Sequence, residues 1–458
     1  MRPSSSPSEA GGGLFGGVLA RGPVADAVSD RAWLQAMLDF EAALARALAR
    51  AGLMSADDAT AIAAACDAGS FDADALGRAA AASASPVVPL VRALTDAVGG
   101  AAAGQVHRGA TTQDVVDTAA MLVAHRALAP LLDDLTGAAD AAAALAEAHR
   151  DTVMAGRTLL QQALPVTFGL KAAGWMAGLD EAATRLHEVR RTRLAVQLGG
   201  AAGTLASLGG SGVEVLGHLA RELDLDEPVL AWHTTRTRPA ELAGALGEAA
   251  GVIAKVARDV TLLAQTEVGE VREGVPGRGG SSTLPHKRNP VAAVSALAGA
   301  LRAPGLVATL LYAMAHEHER AAGAWQAEWR PLSELLVAVG SAAAWLRDCL
   351  EHLEVDAERM RSNLALTNGA LLGERVTTAL APALGRGRAH ELVEGAAGAA
   401  LTEGRPLADV LGARAEVREH LSGDDLGRLL DPSDYLGSTP ELIDRALRAH
   451  HDHERRSR

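Results

Sequence analysis

Between Gly274 and Pro290 the chain reads Gly-Val-Pro-Gly-Arg-Gly-Gly-Ser-Ser-Thr-Leu-Pro-His-Lys-Arg-Asn-Pro. Four glycines and three prolines exclude a helix interior. Pro285 and Pro290 restrict the backbone on either side of His286, Lys287, Arg288 and Asn289, and so limit where those polar groups point. A Gly/Ser run alone reads as a solvated loop. A glycine hinge followed by a restricted polar strip is instead what an active-site lid requires.

A second group of polar residues, Thr111-Thr112-Gln113-Asp114, stands just ahead of a long apolar-periodic stretch. Hydroxyls and free backbone N–H groups at a helix N-terminus make an anion site. The same residues would equally serve as an N-cap through Thr112 or Asp114. His107 lies immediately upstream. No metal or organic cofactor is expected. His316 and His318 are two residues apart, which puts them about 200° around a helix, and no HExxH occurs. The tail cluster His450, His451 and His453 offers only adventitious ligands, and the polar tail from His450 to Arg458 is expected to fray. Cys66 and Cys349 form no CxxC, so neither a zinc site nor a disulfide framework can be built, and a reducing cytoplasm fits. The glycines of Leu198 to Gly203 do not follow the GxGxxG pattern after a strand, which argues against a dinucleotide site.

The elements that must position these groups read as helical. Aromatics make up only 3% of the chain, and the apolar content is carried by Ala, Leu and Val, so an all-α composition is expected. From Pro239 to Glu267, Leu242, Leu246, Ala249, Ile253, Val256, Val260 and Leu263 recur at alternating spacings of four and three. That is the seam of a long bundle helix, and it is expected to lie partly at a contact between chains. Other long helices are expected from Gln113 towards Arg150 with a bend at Pro130, from Pro290 to beyond Leu311, and from Trp329 to Leu353. Shorter helices precede and follow. The division expected is an N-terminal helical domain over 1–107, a central long-helix bundle over 108–353 and a C-terminal helical domain over 354–458. No strand-rich block or 20 to 50-residue repeat is expected.

The 458 residues include 43 Lys and Arg against 56 Asp and Glu, a formal charge of −13 that disfavours nucleic-acid binding. With 48% hydrophobic and 22% charged residues, the chain is long enough to bury a large core. The Ser/Gly/Pro-rich start, Met1 to Gly22, does not have the pattern of a secretion signal. No run of about 18 apolar residues free of charge suggests a membrane span.

Gly280 to Pro290 closely resembles the signature of the fumarase/aspartase superfamily, with Leu284 where methionine is usual. His107–Asp117, Gly156–Gly169, Gln197–Thr204, Gln265–Glu270, Glu317–Trp329 and Asp434–Gly437 extend the resemblance over nearly the whole chain and narrow it to the cycloisomerase branch. The resemblance implies three helical domains and a homotetramer with a helical core, in which three chains share each site. It implies that Ser281 exchanges a proton with the carbon beside a carboxylate. Such a step makes a doubly negative aci-carboxylate, which needs fixed positive potential around it. Lys287 and Asn289 stand at the matching positions, and Ser282, Thr111, Thr112, Gln161 and Arg320 are implied in substrate binding, with His107 implied as a second catalytic residue where an isolated histidine would otherwise serve as a structural hydrogen-bonder. An unperturbed serine hydroxyl is protonated at neutral pH, so Ser281 needs nearby cations or backbone N–H groups when the lid closes. Many relatives read Thr-His-x-Gln where this chain has Thr158-Leu-Leu-Gln161, a replacement shared by the cycloisomerases. Gln161 could otherwise pack a helix. Arg157, Arg236, Arg238 and Arg288 are left open between carboxylate binding and ordinary ion pairs. The implied reaction is lactonisation of the tricarboxylate 3-carboxy-cis,cis-muconate. The alternatives are a C–N or C–O lyase acting on a substituted succinate, and a helical scaffold that has lost the chemistry.

Overall fold

A computed structural model describes residues 13–457. Most of the stretch expected to lack a secretion signal, residues 1–12, lies outside the described residues. The fold is all-α in character. Thr112–Ala148, Phe168–Thr192, Thr237–Leu263 and Ala324–Glu351 are its long helices. Shorter ones begin at side-chain caps: Ser29 accepts from the Ala32 N–H ahead of Asp30–Arg50, and Ser55 from the Asp58 N–H ahead of Ala56–Ala65.

The chain groups into two compact units, each assembled from separated stretches. The first takes the residues up to Gly137 with Glu181–Ala257 and Ala292–Asp348; the second takes Ala138–Asp180, Arg258–Val291 and the chain from Cys349 onward. In the first unit Asp30–Arg50 packs against Ala56–Ala65 and Gly212–Leu223 and buries Phe40, Leu44 and Leu48. In the second, Phe168 meets Trp175 and His149 edge-on at 5.6 and 5.5 Å. Gly169 there allows two helix ends to touch, since a Cβ would stand 2.7 Å from the Ala146 carbonyl oxygen. A separate apolar cluster gathers Val376, Leu380, Leu392, Leu411 and Val417. The free cysteines divide between the units, Cys66 in the first and Cys349 in the second, and both are buried.

Four expectations need correction. The seam from Leu242 to Leu263 is 0 to 5% exposed, so the chain itself covers it and no second chain is needed there. The helix expected from Pro290 is broken into Val291–Ala300 and Ala303–Tyr312, because Pro304, which lacks an N–H, begins a new helix. The tail does not fray at His450: Thr439–Ser457 is helical, and the 3%-exposed His450 ring lies 3.0 Å from Asp180 through Nδ1 and 3.2 Å from Asp140 through Nε2. Lastly, Gly156–Gly169 includes an antiparallel hairpin, Val153–Thr158 with Gln161–Thr167, so Gln161 begins a strand and has no helix to pack. Leu159 and Leu160 form its two-residue turn with φ of +51° and +66°, left-handed values that normally select Asn-Gly. A second small sheet pairs Val271–Glu273 with Leu353–Val355.

Among the described residues, two stretches have the length and apolar content of a membrane span. Thr112–Ala148 is mostly buried in the protein, whereas Val291–Tyr312 is interrupted by Arg302 and exposes Val294, Leu301, Leu311 and Tyr312.

Candidate active site

In the first unit the site begins at the N-terminus of helix Thr112–Ala148. Asp114, fully buried, accepts hydrogen bonds from the backbone N–H groups of Thr111 (2.9 Å), Gly199 (3.0 Å) and Gly200 (3.0 Å) and lies 2.7 Å from His233 Nε2. Because the Asp114 carboxylate caps this end, the Thr111 and Thr112 hydroxyls are not spent on capping, and neither has a partner among the described residues. The same carboxylate ties the glycine turn to the helix start. Gly200 carries φ of +69°, and its neighbour Gly199 has no room for a side chain, since a Cβ would lie 2.7 Å from Ala231 and 2.8 Å from His233. Arg320 joins this turn, its Nη2 donating to the Ala201 carbonyl at 3.0 Å, while its Nη1 is buried without a hydrogen-bond partner among the described residues.

Beneath this turn lies a network of buried charge. Arg236 donates to Asp117 at 2.8 and 3.0 Å and to Glu328 at 3.0 and 2.5 Å. Burial works against its charge, but the two carboxylates outweigh burial and hold the guanidinium more firmly protonated than usual. Trp325 Nε1, Gln113 and Gln197 also donate to Asp117. With Nη1 also donating to the Trp232 carbonyl at 3.4 Å, all five N–H groups of Arg236 are engaged, so it braces the site and has no donor to spare for a ligand carboxylate. His107 sits ahead of this group in a left-handed backbone conformation, φ +58°, with Nδ1 2.6 Å from the buried Glu41.

The signature loop belongs to the second unit. Gly280 and Arg288 form an antiparallel bridge, and the Asn289 N–H donates to the Gly279 carbonyl at 2.8 Å. Gly279, at φ +75°, is required here, because a Cβ would collide with the Asn289 carbonyl oxygen. The loop thereby brings Ser281, Ser282, Lys287 and Asn289 together around one short closure. Ser281 Oγ accepts from the backbone N–H groups of Leu284 (3.1 Å) and Thr283 (3.3 Å). Two donors on one hydroxyl oxygen favour its anionic form, the kind of activation that a serine acting on a carbon-bound proton needs. Lys287 and Arg288 are exposed and form no ion pair among the described residues.

Elsewhere in the second unit the fully buried Glu270 receives Arg157 through Nη1 (2.9 Å) and Nη2 (2.7 Å) and Asn363 Nδ2 (2.7 Å). Arg157 therefore pins the hairpin close to its turn, and Gln161 lies exposed beside the same tip. Arg238, in the first unit, is turned to the Arg193 carbonyl at 2.7 Å. Sequence reading did not assign roles to Glu41, Glu270 and His233. For Glu41 the available signal was a carboxylate between Phe40 and Ala42 on the apolar side of a helix.

A family model described as "Lyase" matches residues 19–305, and a second, "Adenylosuccinate lyase C-terminus", matches residues 369–446. The chain belongs to the lyase family. Its helical architecture is also that of a family member of known structure, 3-carboxy-cis,cis-muconate lactonizing enzyme from Pseudomonas putida, with a TM-score of 0.90 at 44% identity, covering 96% of this chain and 99% of that one. The 3-carboxy-cis,cis-muconate cycloisomerase of Pseudomonas aeruginosa is 50% identical over 96% of each chain. A family member of different chemistry, the nitrosuccinate lyase of Streptomyces davaonensis, is 46% identical over 95% of this chain and 94% of that one.

Proposed function

We propose that this enzyme is a 3-carboxy-cis,cis-muconate cycloisomerase, closing that tricarboxylate to 4-carboxymuconolactone in the degradation of protocatechuate. The observation that carries the reading is Ser281 Oγ held by two backbone N–H groups, in a loop where Lys287 and Arg288 form no ion pair among the described residues. In the reaction a carboxylate oxygen of the substrate bonds to a carbon of the conjugated diene, and the displaced electron pair collects on the adjacent carbon as an aci-carboxylate. Ser281 delivers its proton to that carbon, and the backbone donors stabilise the oxygen it leaves behind. Lys287, Asn289 and Ser282 surround the developing charge. Thr111 and Thr112 offer hydroxyls at a positive helix end to a second carboxylate, with Arg320, His107 and Gln161 completing the binding group.

The assembly proposed is a homotetramer with shared sites. It is supported by the apolar side chains left exposed on Val291–Ala300 and Ala303–Tyr312, where Val294 is 51%, Leu311 48% and Tyr312 88% exposed. Two free, buried thiols suit a cytoplasmic location.

A second reading has its own support in the relative that cleaves nitrosuccinate, since elimination β to a carboxylate uses the same proton step in reverse. Ultraviolet loss of diene absorbance with 3-carboxy-cis,cis-muconate, run beside nitrite release from nitrosuccinate, separates the two. Nitrite release without diene loss would overturn the cycloisomerase assignment.

A further inference from the structure

We propose that Glu41 is a positioning residue that acts through His107, holding the imidazole by Nδ1 so that Nε2 presents an N–H to a substrate carboxylate. This rests on the reading of His107 as part of the site. Glu41 lies mid-way along helix Asp30–Arg50, 1% exposed, beside Phe40 and Ala42, which are also buried. Its Oε1 stands 2.6 Å from His107 Nδ1, and its Oε2 is buried with no hydrogen-bond partner among the described residues. A buried carboxylate with one oxygen unsatisfied does not improve the packing of a helix; an apolar side chain of that size would do so better. What the carboxylate secures is the charge and the orientation of one ring.

His107 is the residue to which that cost is tied. Its backbone is held in the left-handed region, which a non-glycine residue occupies only when the surroundings impose it. The side chain is 18% exposed, and Nε2 makes no hydrogen bond among the described residues. The charged groups facing the ring are Glu41 and, from the first turn of Thr112–Ala148, Asp114. Arg108 is turned away, its Nη1 donating to the Leu53 carbonyl (2.5 Å) and Gln105 Oε1 (2.9 Å). Burial, with the charges of Glu41 and Asp39 adding to it, pushes the Cys66 thiol up to about 12 and keeps it neutral. Burial alone would lower the His107 pKa, but the charge and hydrogen bond of Glu41, with Asp114, raise it above its ordinary value. The ring is thereby kept cationic where a free histidine would already lose its charge.

Glu41→Gln keeps the size and removes the charge. In enzyme labelled at histidine Cε1 with carbon-13, with the His107 signal assigned by His107→Gln, the His107 titration midpoint should fall by about one pH unit or more. The alkaline limb of kcat/KM for lactonisation should move down with it, giving roughly a tenfold loss at pH 8 that is smaller at lower pH. Glu41→Asp should restore part of both, and it carries the titration if Glu41→Gln does not fold. An unchanged midpoint overturns the proposal, as does a midpoint that moves while the kcat/KM profile keeps its shape. If the parent enzyme does not lactonise carboxymuconate, the substrate reading fails by itself. The coupling is then read from the pH dependence of tricarballylate binding, where the same tenfold weakening at pH 8 supports it and its absence overturns it.

Discussion

Ser281 is one hydroxyl among several in its loop, and what distinguishes it is the pair of backbone donors that its neighbour Ser282 lacks. Ser281→Ala should therefore lower kcat by about 10² or more, while Ser282→Ala costs much less. Single-turnover loss of diene absorbance measures both, and comparable losses would place the proton elsewhere. A second expectation concerns His107. A histidine whose folded pKa is raised adds stability that is complete below its unfolded value of about 6.5 and is lost as the pH rises through the folded value. The melting-temperature gap between the parent and His107→Gln should accordingly narrow from about pH 6 to pH 9, and a widening gap would contradict the ion pair. The loop that carries Ser281, Lys287 and Asn289 was legible in sequence because its glycines, prolines and polar residues are clustered in one short stretch. The arginines were not. Arg157 and Arg236 find their carboxylates 113 and 119 residues away, and no local pattern reveals such a partner.

Among the elements, the helices were the easier reading, because apolar spacing and Ser or Asp caps announce them. The hairpin was missed for a definite reason: its turn is Leu159-Leu160, which carries none of the Asn-Gly chemistry that marks two positive φ angles. The helix break at Pro304 was marked in the sequence, but the apolar run on both sides of it reads as continuous. The signature loop depends on one glycine. Gly279→Ala would drive a Cβ into the Asn289 carbonyl and displace the Gly280–Arg288 closure, so activity should fall by about 10²-fold with little change in melting temperature. The ion pair that anchors the hairpin should behave in the opposite way. Arg157→Met leaves the buried Glu270 with Asn363 alone and should destabilise by about 3 kcal/mol in urea unfolding. A shift below about 0.5 kcal/mol would mean that water reaches Glu270.

For the whole molecule, the surface available for assembly is not the one that periodicity suggested. The seam of Thr237–Leu263 is consumed inside the chain, whereas Val291–Tyr312 leaves Val294, Leu301, Leu311 and Tyr312 exposed. Val294→Asp with Leu311→Asp should therefore shift sedimentation from the proposed tetramer towards smaller species at micromolar concentration, with activity falling in parallel. A parent that sediments as an active monomer would remove the shared-site arrangement altogether. The two compact units draw on interleaved stretches of sequence, which is why composition along the chain could not outline them.

The two cysteines give that division an experimental handle. With the Cys66 thiol pushed up to about 12 and Cys349 wholly enclosed, neither should react with a maleimide while its surroundings stay closed. Each sits in a different unit, so the rate at which each is alkylated becomes a clock for the opening of one part of the molecule. Peptide mapping after timed labelling would show whether the two parts open as one event or in sequence.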